Sequence, residues 1–225
     1  MRRFVNPGNT AFEVAVNSQI YVDKTGLLAY TNSVINTKQA LICSSRPRRF
    51  GKSITADMLC AYYSRGCDSD SIFASYEIAK SDSYKKHLNQ YDVIYLDIQW
   101  CMMDAGSAEQ TVSYLNYHVI EELKEIYPQI LLDGIRTAYG AMSCINAQTG
   151  VKFIVIIDEW DVLIRDEAAN EAVLQDYINF LRGLFKGTLP TRYIALAYLT
   201  GILPIKKVQT QSALNLSLIH ISEPT

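Results

Sequence analysis

The sequence predicts an α/β fold in which helices cover a mainly parallel β-sheet. Short apolar runs that suit buried strands alternate along the chain with segments in which apolar residues recur every three or four positions, as on one face of a helix. This alternation is typical of parallel strands joined by helices. The chain has 225 residues, of which 49% are hydrophobic and 20% charged, enough for one such domain with its own core.

Four strands are expected, each from its own signature. The first, 39–45, is an apolar run followed directly by a segment with Arg, Pro and Gly. The second, 91–100, is rich in bulky residues that favour extended structure. The third, 151–161, is a nearly continuous β-branched run ending in acids, as in a strand buried on both faces. The fourth, 192–201, ends in Thr200 and a glycine. Ligands of parallel sheets bind outside these carboxyl ends, where the polar residues cluster.

Helices are expected between the strands. The first begins after Gly51 and has an apolar face with a period of four, formed by Ile54, Met58 and Tyr62. A second follows Ser107, which fits a capping box with Gln110, and a third is capped by Asn170. Strand, glycine turn and helix then follow one another around Gly51, which is the context that a phosphate-binding loop requires.

Composition excludes several classes of function. The formal net charge of −2 argues against a protein that coats nucleic acid, so any polyanion contact must come from a local cluster. Five cysteines without C-x-x-C spacing favour free thiols in a reducing cytosol, and three widely separated histidines do not form a metal site. No secretory signal and no apolar run near the roughly 18 residues of a membrane span is present, so we expect a soluble, cytoplasmic protein.

The stretch SSRPRRFGKS, 44–53, nearly spells the phosphate-binding pattern G-x-x-x-x-G-K-[ST]. In such a loop, backbone N–H groups point at the phosphates from the start of a helix. Gly51 permits close approach of the backbone, Lys52 would reach the β- and γ-phosphates, and Ser53 would coordinate Mg²⁺. Arg46 stands where the first glycine is expected, which predicts a wider or differently shaped start of the loop.

The arginines of this stretch have two interpretations. Their guanidinium groups match phosphate oxygens, but a solvated basic rim explains them equally well. The candidate nucleotide-binding residues are Arg46, Arg48, Arg49, Phe50, Gly51, Lys52, Ser53 and Ile54.

The acids at the end of the third strand are the second group of residues that a nucleotide site needs beside the loop. Asp158 at the strand end can hold the Mg²⁺ shell, and Glu159 can polarise an attacking water as a general base. Two exposed acids closing a strand are the structural alternative. Asp161 either caps the next turn or orients Arg165. Thr200 could position water against the γ-phosphate, although strand-end threonines are often simple capping residues.

With RPRRFGKS, IIDEWD and LTGILPIKK in this order, the chain resembles the AAA-ATPase-like family of bacterial proteins. The segment YVDKTGLL, 21–28, also looks like that family, and the arginine at the first-glycine position is typical of it. The resemblance implies a P-loop NTPase three-layer sandwich of the additional-strand type, with the Walker B strand between the loop strand and another strand. Longer members often carry a PD-(D/E)xK nuclease-like domain, which would be the partner of this domain in the full-length chain.

The resemblance covers about 11–215. We expect an N-terminal extension, 1–20, followed by an incomplete P-loop domain, 21–215. The tail LSLIHISEPT, 216–225, resembles a translated sequencing adapter, although it also fits a short alternating strand and a loop. The domain is therefore expected to be truncated, with one later strand and any arginine finger or lid beyond Asn215.

These expectations converge on a domain that binds ATP and Mg²⁺ and hydrolyses the ATP. The expected catalytic residues are Lys52, Glu159 and Thr200, and the expected metal ligands are Ser53 and Asp158. The alternative is a non-hydrolysing, nucleotide-gated regulatory module coupled to a nuclease-like partner. A small-molecule kinase is a third interpretation, but the sequence offers no acceptor pocket or lid for it.

Overall fold

The computed structural model describes residues 2–166 and 169–203. Its sheet has four strands in the order β1-β4-β3-β2, and all three pairings are parallel. The strands are β1 (Leu41–Ser45), β2 (Asp92–Asp97), β3 (Phe153–Asp158) and β4 (Ile194–Gly201). The predicted α/β class with a parallel sheet is confirmed. The expected place of the Walker B strand beside the loop strand is wrong, because β3 lies between β4 and β2 and β4 separates it from β1.

Helices precede and connect these strands in the described part of the chain. They are α1 (Thr10–Val16), α2 (Gly26–Val34), α3 (Lys52–Tyr63), α4 (Asp70–Phe73), α5 (Tyr84–His87), α6 (Ile98–Ala105), α7 (Ala108–Ile126), α8 (Ala138–Thr149), α9 (Val162–Arg165), α10 (Glu171–Phe185) and α11 (Pro190–Tyr193), with a 3₁₀ turn at Glu77–Lys80. None of these helices is long and apolar enough to cross a membrane.

The sheet is the middle of three layers. Every residue of β3 is buried, and successive side chains enter opposite cores: Phe153, Val155 and Ile157 pack with α6, α7, α8 and α10, whereas Ile154 and Ile156 pack with α1, α2 and α3. This is the pattern expected of a strand covered on both faces. The continuous apolar run in the sequence is explained by this double burial.

The start of the chain covers the outer edge of β2. Val5 forms an antiparallel bridge with Ile94, and the N–H of Tyr95 donates to the carbonyl of Phe4 at 2.8 Å. The carboxylate of Glu122 on α7 accepts three further backbone N–H groups of this segment, which fixes it against the helix. Phe4 and Val5 are buried, so this part of the predicted extension packs into the core.

The second strand is shorter than predicted. It ends at Asp97, and α6 begins at Ile98. The side chain of Asp97 accepts a hydrogen bond from the N–H of Trp100 at 2.9 Å, which is the geometry of a helix N-cap. The bulky residues after Asp97 favour extended structure in isolation, but this cap starts a helix instead.

Two details of the predicted helices also differ. Ile54 is 39% exposed rather than buried, because it lies in the first turn of α3 next to an exposed loop. Ser107 precedes α7 but its side chain makes no capping hydrogen bond, so the capping box is wrong. Asn170 caps α10 as predicted, accepting from the N–H of Val173 at 3.0 Å. The adapter-like tail, 216–225, lies outside the described residues.

Candidate functional site

The carboxyl ends of the four strands lie along one edge of the sheet. The register pairs Ser44 with Thr200, and Asp97 with Asp158. Strand β4 lies between β1 and β3, so Thr200 stands between the loop strand and the strand that ends in Asp158. Residues separated by more than a hundred positions in sequence therefore meet at this edge.

The loop between β1 and α3 shows why Arg46 can replace a glycine. The N–H of Arg46 donates to the carbonyl of Gly201 at 3.0 Å, which extends the β1–β4 ladder one residue into the loop. The next residue, Pro47, has no N–H and ends the ladder. The chain therefore leaves the strand later than in a loop that turns at the first glycine.

The far end of the loop has a left-handed backbone. Arg49 has φ of +70° and Gly51 has φ of +68°. A side chain in this region costs about 1–2 kcal/mol, which glycine avoids. A Cβ on Gly51 would also lie 3.2 Å from the Nζ of Lys24. The left-handed conformation therefore favours glycine at this position, and a Cβ there would also displace the Lys24 ammonium slightly.

Lys52 joins the loop to the acidic pair. It is 8% exposed, its ammonium donates to the carbonyl of Pro47 at 3.3 Å, and it lies 3.6 Å from Oε1 of Glu159. The neighbouring Ser53 hydroxyl hydrogen-bonds to the carboxylate of Asp158. The two motifs thus face each other across one crevice.

Asp158 is a carboxylate in an unfavourable setting. It is 1% exposed, and this burial is the main reason why its pKa is raised to about 6. The carboxylate of Asp97 also raises the pKa, whereas hydrogen bonds from the Ser53 hydroxyl and the N–H of Glu159 lower it. The hydrogen bond from the N–H of Glu159 to Oδ1 of Asp158 measures 2.9 Å. A hydroxyl beside a buried carboxylate is a donor set of hard oxygens, which fits Mg²⁺ and would relieve the cost of the buried charge.

Both carboxylate oxygens of Glu159 are engaged by cations. Oε1 faces Lys52, and Oε2 accepts from Nη2 of Arg165 at 2.8 Å. The backbone of Glu159 has φ of +49°, a region that a non-glycine residue occupies only at a cost. Sequence reasoning placed Glu159 at the site but did not find that Arg165 binds it.

Asp161 ties the turn after β3 to the chain that leaves β4. It is fully buried, and its Oδ2 accepts from the backbone N–H of Ile202 at 3.1 Å, from that of Leu203 at 2.7 Å, and from Nε of Arg165 at 2.8 Å. Of the two predicted roles, the structure shows the orientation of Arg165, since α9 has no side-chain cap.

Thr200 is 1% exposed, and its hydroxyl has no hydrogen-bond partner within residues 2–166 and 169–203. Leaving a buried hydroxyl unpaired costs about 1–3 kcal/mol. Its carbonyl accepts from the N–H of Trp160 at 3.1 Å, which fixes the strand end beside the acidic turn.

The remaining predicted loop residues lie at the surface. Phe50 is 57% exposed, Arg48 and Arg49 are exposed, Arg46 is half-buried, and the exposed Ile54 follows Ser53 in the first turn of α3.

Three further charged residues at this edge were not found from the sequence. The ammonium of Lys24 donates to the carbonyl of Phe50 at 2.9 Å, which places it on the loop. Asp57 follows Ser53 by one helical turn, and burial together with the carboxylates of Asp158 and Asp97 raises its pKa to about 6. The strand-end position of Asp97 was a usable signal, but the predicted strand ran past it.

Comparison with known proteins gives one family. No curated protein matches the chain. A family model described as Predicted AAA-ATPase matches residues 8–210, a range that includes the loop, the acidic pair and Thr200. The match spans most of the 225 residues. The chain therefore belongs to the predicted AAA-ATPase family.

Proposed function

We propose that the chain binds ATP with Mg²⁺ in the crevice between the loop 46–53 and the acidic pair, and hydrolyses the terminal phosphoanhydride bond. One observation carries the proposal: Lys52 lies 3.6 Å from Glu159 while the adjacent Ser53 bonds to Asp158. A lysine, a hydroxyl and two carboxylates at strand ends are the groups that triphosphate and metal require. Membership of the predicted AAA-ATPase family supports the nucleotide-binding part of this proposal.

Phosphate binding rests on the loop and the start of α3. This helix has twelve residues, and its N-terminal N–H groups and dipole favour an anion. Lys52 would give up the neutral carbonyl of Pro47 and its ion pair with Glu159 for phosphate oxygens. Charge-assisted hydrogen bonds are about twice as strong as neutral ones, so the exchange of the Pro47 carbonyl for phosphate favours the bound state.

Ser53 and Asp158 would hold the metal. When bound, Mg²⁺ supplies positive charge that offsets the charge of the phosphates. Ionised Asp158 is costly in the metal-free protein because it is buried, and this burial raises its pKa. A bound metal ion would offset the same cost. Thr200, with its unpaired hydroxyl, would contribute a donor near the phosphate chain.

Hydrolysis would use Glu159 as the base. The water proton passes to its carboxylate, the water oxygen bonds to the γ-phosphorus, and the bond to the bridging oxygen breaks, so that ADP leaves with the electron pair. Glu159 must first be released from Lys52 and Arg165, which occupy both of its oxygens. Movement of Lys52 to phosphate would free one of them.

The test compares Mg-ATP affinity by calorimetry in the wild type, Lys52→Ala and the control Lys38→Ala, an exposed lysine before β1 at the opposite edge of the sheet. Loss of a charged hydrogen bond is worth about 1.5–3 kcal/mol, so Lys52→Ala should weaken binding by about 10- to 100-fold. Equal affinities in all three proteins would refute the proposed site.

The engagement of Glu159 by two cations favours one alternative, a module that binds nucleotide without hydrolysing it. Glu159→Gln separates the two functions. A hydrolase loses phosphate release in this variant and keeps ATP binding, whereas a regulatory module shows the same negligible release in the variant and the wild type. Arg165→Gln should increase release if the ion pair to Glu159 limits it.

A further inference from the structure

The segment 23–26, Asp-Lys-Thr-Gly, is fixed to the protein by three of its four residues. One carboxylate oxygen of Asp23 accepts from the N–H of Thr25 at 2.7 Å, and the other accepts from the N–H of Glu77 at 3.0 Å. Asp23 therefore holds the segment in a turn and attaches it to the 3₁₀ turn at 77–80.

Thr25 and Gly26 complete this attachment. Thr25 is fully buried, and its hydroxyl accepts from the N–H of Ile78 at 3.2 Å. A Cβ on Gly26 would lie 3.1 Å from a carboxylate oxygen of Glu77, so glycine permits the close approach. Asp23, Thr25 and Gly26 each have a structural reason for being where they are.

Lys24 extends in another direction, to the phosphate loop. Its ammonium donates to the carbonyl of Phe50 at 2.9 Å and lies 3.2 Å from the position that a Cβ on Gly51 would take. Because the residues on both sides of Lys24 are anchored, the fold brings this charge to the loop across 26 positions of sequence.

Lys24 and Lys52 each donate to a backbone carbonyl of the loop. Lys52 donates to the carbonyl of Pro47, and Lys24 donates to the carbonyl of Phe50. An ammonium has three donors on a flexible stem, so it can keep or exchange such a neutral acceptor when an anion arrives. Both ammonium groups therefore approach the same loop, one from within it and one from the N-terminal part of the chain.

We propose that Lys24 is a second phosphate-binding lysine, which contacts the phosphate chain of a nucleoside di- or triphosphate at the Gly51 end of the loop. This inference rests on the proposed nucleotide site. It assigns the segment 23–26 a function: three residues hold the segment on the 3₁₀ turn, and the fourth supplies charge to the ligand. The recognised group is the phosphate chain, not the base.

The test measures Mg-ATP and Mg-ADP affinity of the full chain for Lys24→Gln, Lys24→Arg, Lys52→Ala and the control Lys38→Gln. Lys24→Gln removes the charge and keeps a hydrogen-bond donor, so it should weaken binding about tenfold, as for one charge-assisted hydrogen bond. Lys24→Arg should restore most of the affinity, and Lys38→Gln should leave it unchanged. A lysine that only holds the carbonyl of Phe50 would not show this dependence on charge.

A second measurement uses the wild-type protein and needs no variant to fold. Amine acetylation followed by mass spectrometry should show Lys24 protected by Mg-ATP, with Lys38 as the internal control. Equal labelling of Lys24 with and without Mg-ATP, or normal affinity in Lys24→Gln while Lys52→Ala has lost binding, would overturn this inference alone. Normal affinity in Lys52→Ala would overturn the nucleotide site itself.

Discussion

Replacing Asp158 by Asn should make the ligand-free protein more stable and its response to Mg-ATP weaker. The Asp158 side chain is 1% exposed, and its pKa is raised to about 6, chiefly by burial and then by the neighbouring carboxylate of Asp97. Asn keeps the shape and an oxygen that can accept the N–H of Glu159, but it carries no charge. The variant therefore removes the cost of the buried ion and also the proposed metal ligand.

The magnitude follows from the pKa difference. The folded protein holds the Asp158 proton up to about pH 6, whereas the unfolded chain releases it near the ordinary value of 3.8. Between these values the folded state binds more protons, so stability falls as the pH rises through this window. At about 1.4 kcal/mol per pH unit the loss at pH 7 approaches about 3 kcal/mol. For a chain of this size that corresponds to roughly 6–12 °C in Tm.

The assay is thermal unfolding followed by circular dichroism at pH 5 and pH 7.5, with and without Mg-ATP. Asp158→Asn should gain stability over the wild type at pH 7.5, gain less at pH 5, and show little further rise with Mg-ATP. Asp133→Asn, at an exposed position, is the matched control and should change nothing. A variant that is less stable than the wild type at pH 7.5 would refute the reasoning, because the carboxylate would then be satisfied within the fold.

Two further predictions concern the frame of the site. Gly201→Ala should destabilise the protein by about 1–3 kcal/mol, because the added Cβ would lie 2.5 Å from Oδ1 of Asp161 and 2.7 Å from the ring of Trp160; an unchanged urea midpoint would contradict this. Asn170→Ala should cost about 1 kcal/mol through loss of its helix cap, whereas Ser107→Ala, which removes no capping bond, should cost less. Equal losses in the two variants, measured by urea unfolding, would show that capping is not the cause.

The strands at the centre of the sheet were predictable because burial on both faces leaves a strong signal. The run 153–157 is apolar at every position, so the type of this element was clear, although the expected range, 151–161, extends past both ends of β3. The end of β2 was not predictable in the same way. Trp100 and its neighbours favour strands, and only the hydrogen bond from Trp100 to Asp97 shows that a helix has begun.

Helix α8 was not predicted at all. Its sequence, AYGAMSCINAQT, has few large apolar residues and no clear stripe, and its start depends on Thr137, which accepts from the N–H of Gly140 at 3.2 Å. The helix is held by packing of small side chains, including Ala138 and Ala141, rather than by a strong amphipathic pattern. Such tertiary support is not visible in a local reading of the sequence.

The candidate site was predictable where its residues follow strands and not where they come from elsewhere. Asp158 ends β3, Glu159 follows it, and Lys52 follows β1 after a short loop, so the strand-end rule brings them together. Lys24 reaches the loop across 26 positions of sequence, and Arg165 at the end of α9 pairs with Glu159 six residues before it. Only coordinates show that these two cations contact the loop and the acidic pair.

The antiparallel segment around Val5 has a consequence for how this sheet can grow. Because it hydrogen-bonds to the outer edge of β2, a further strand cannot pair with β2 there. Within the described part of the chain β1 pairs with β4 alone, so its other side is the flank left for extension. A fifth strand, whether from later in the chain or from another molecule, would therefore pair with β1, the strand that leads into the loop of the proposed nucleotide site.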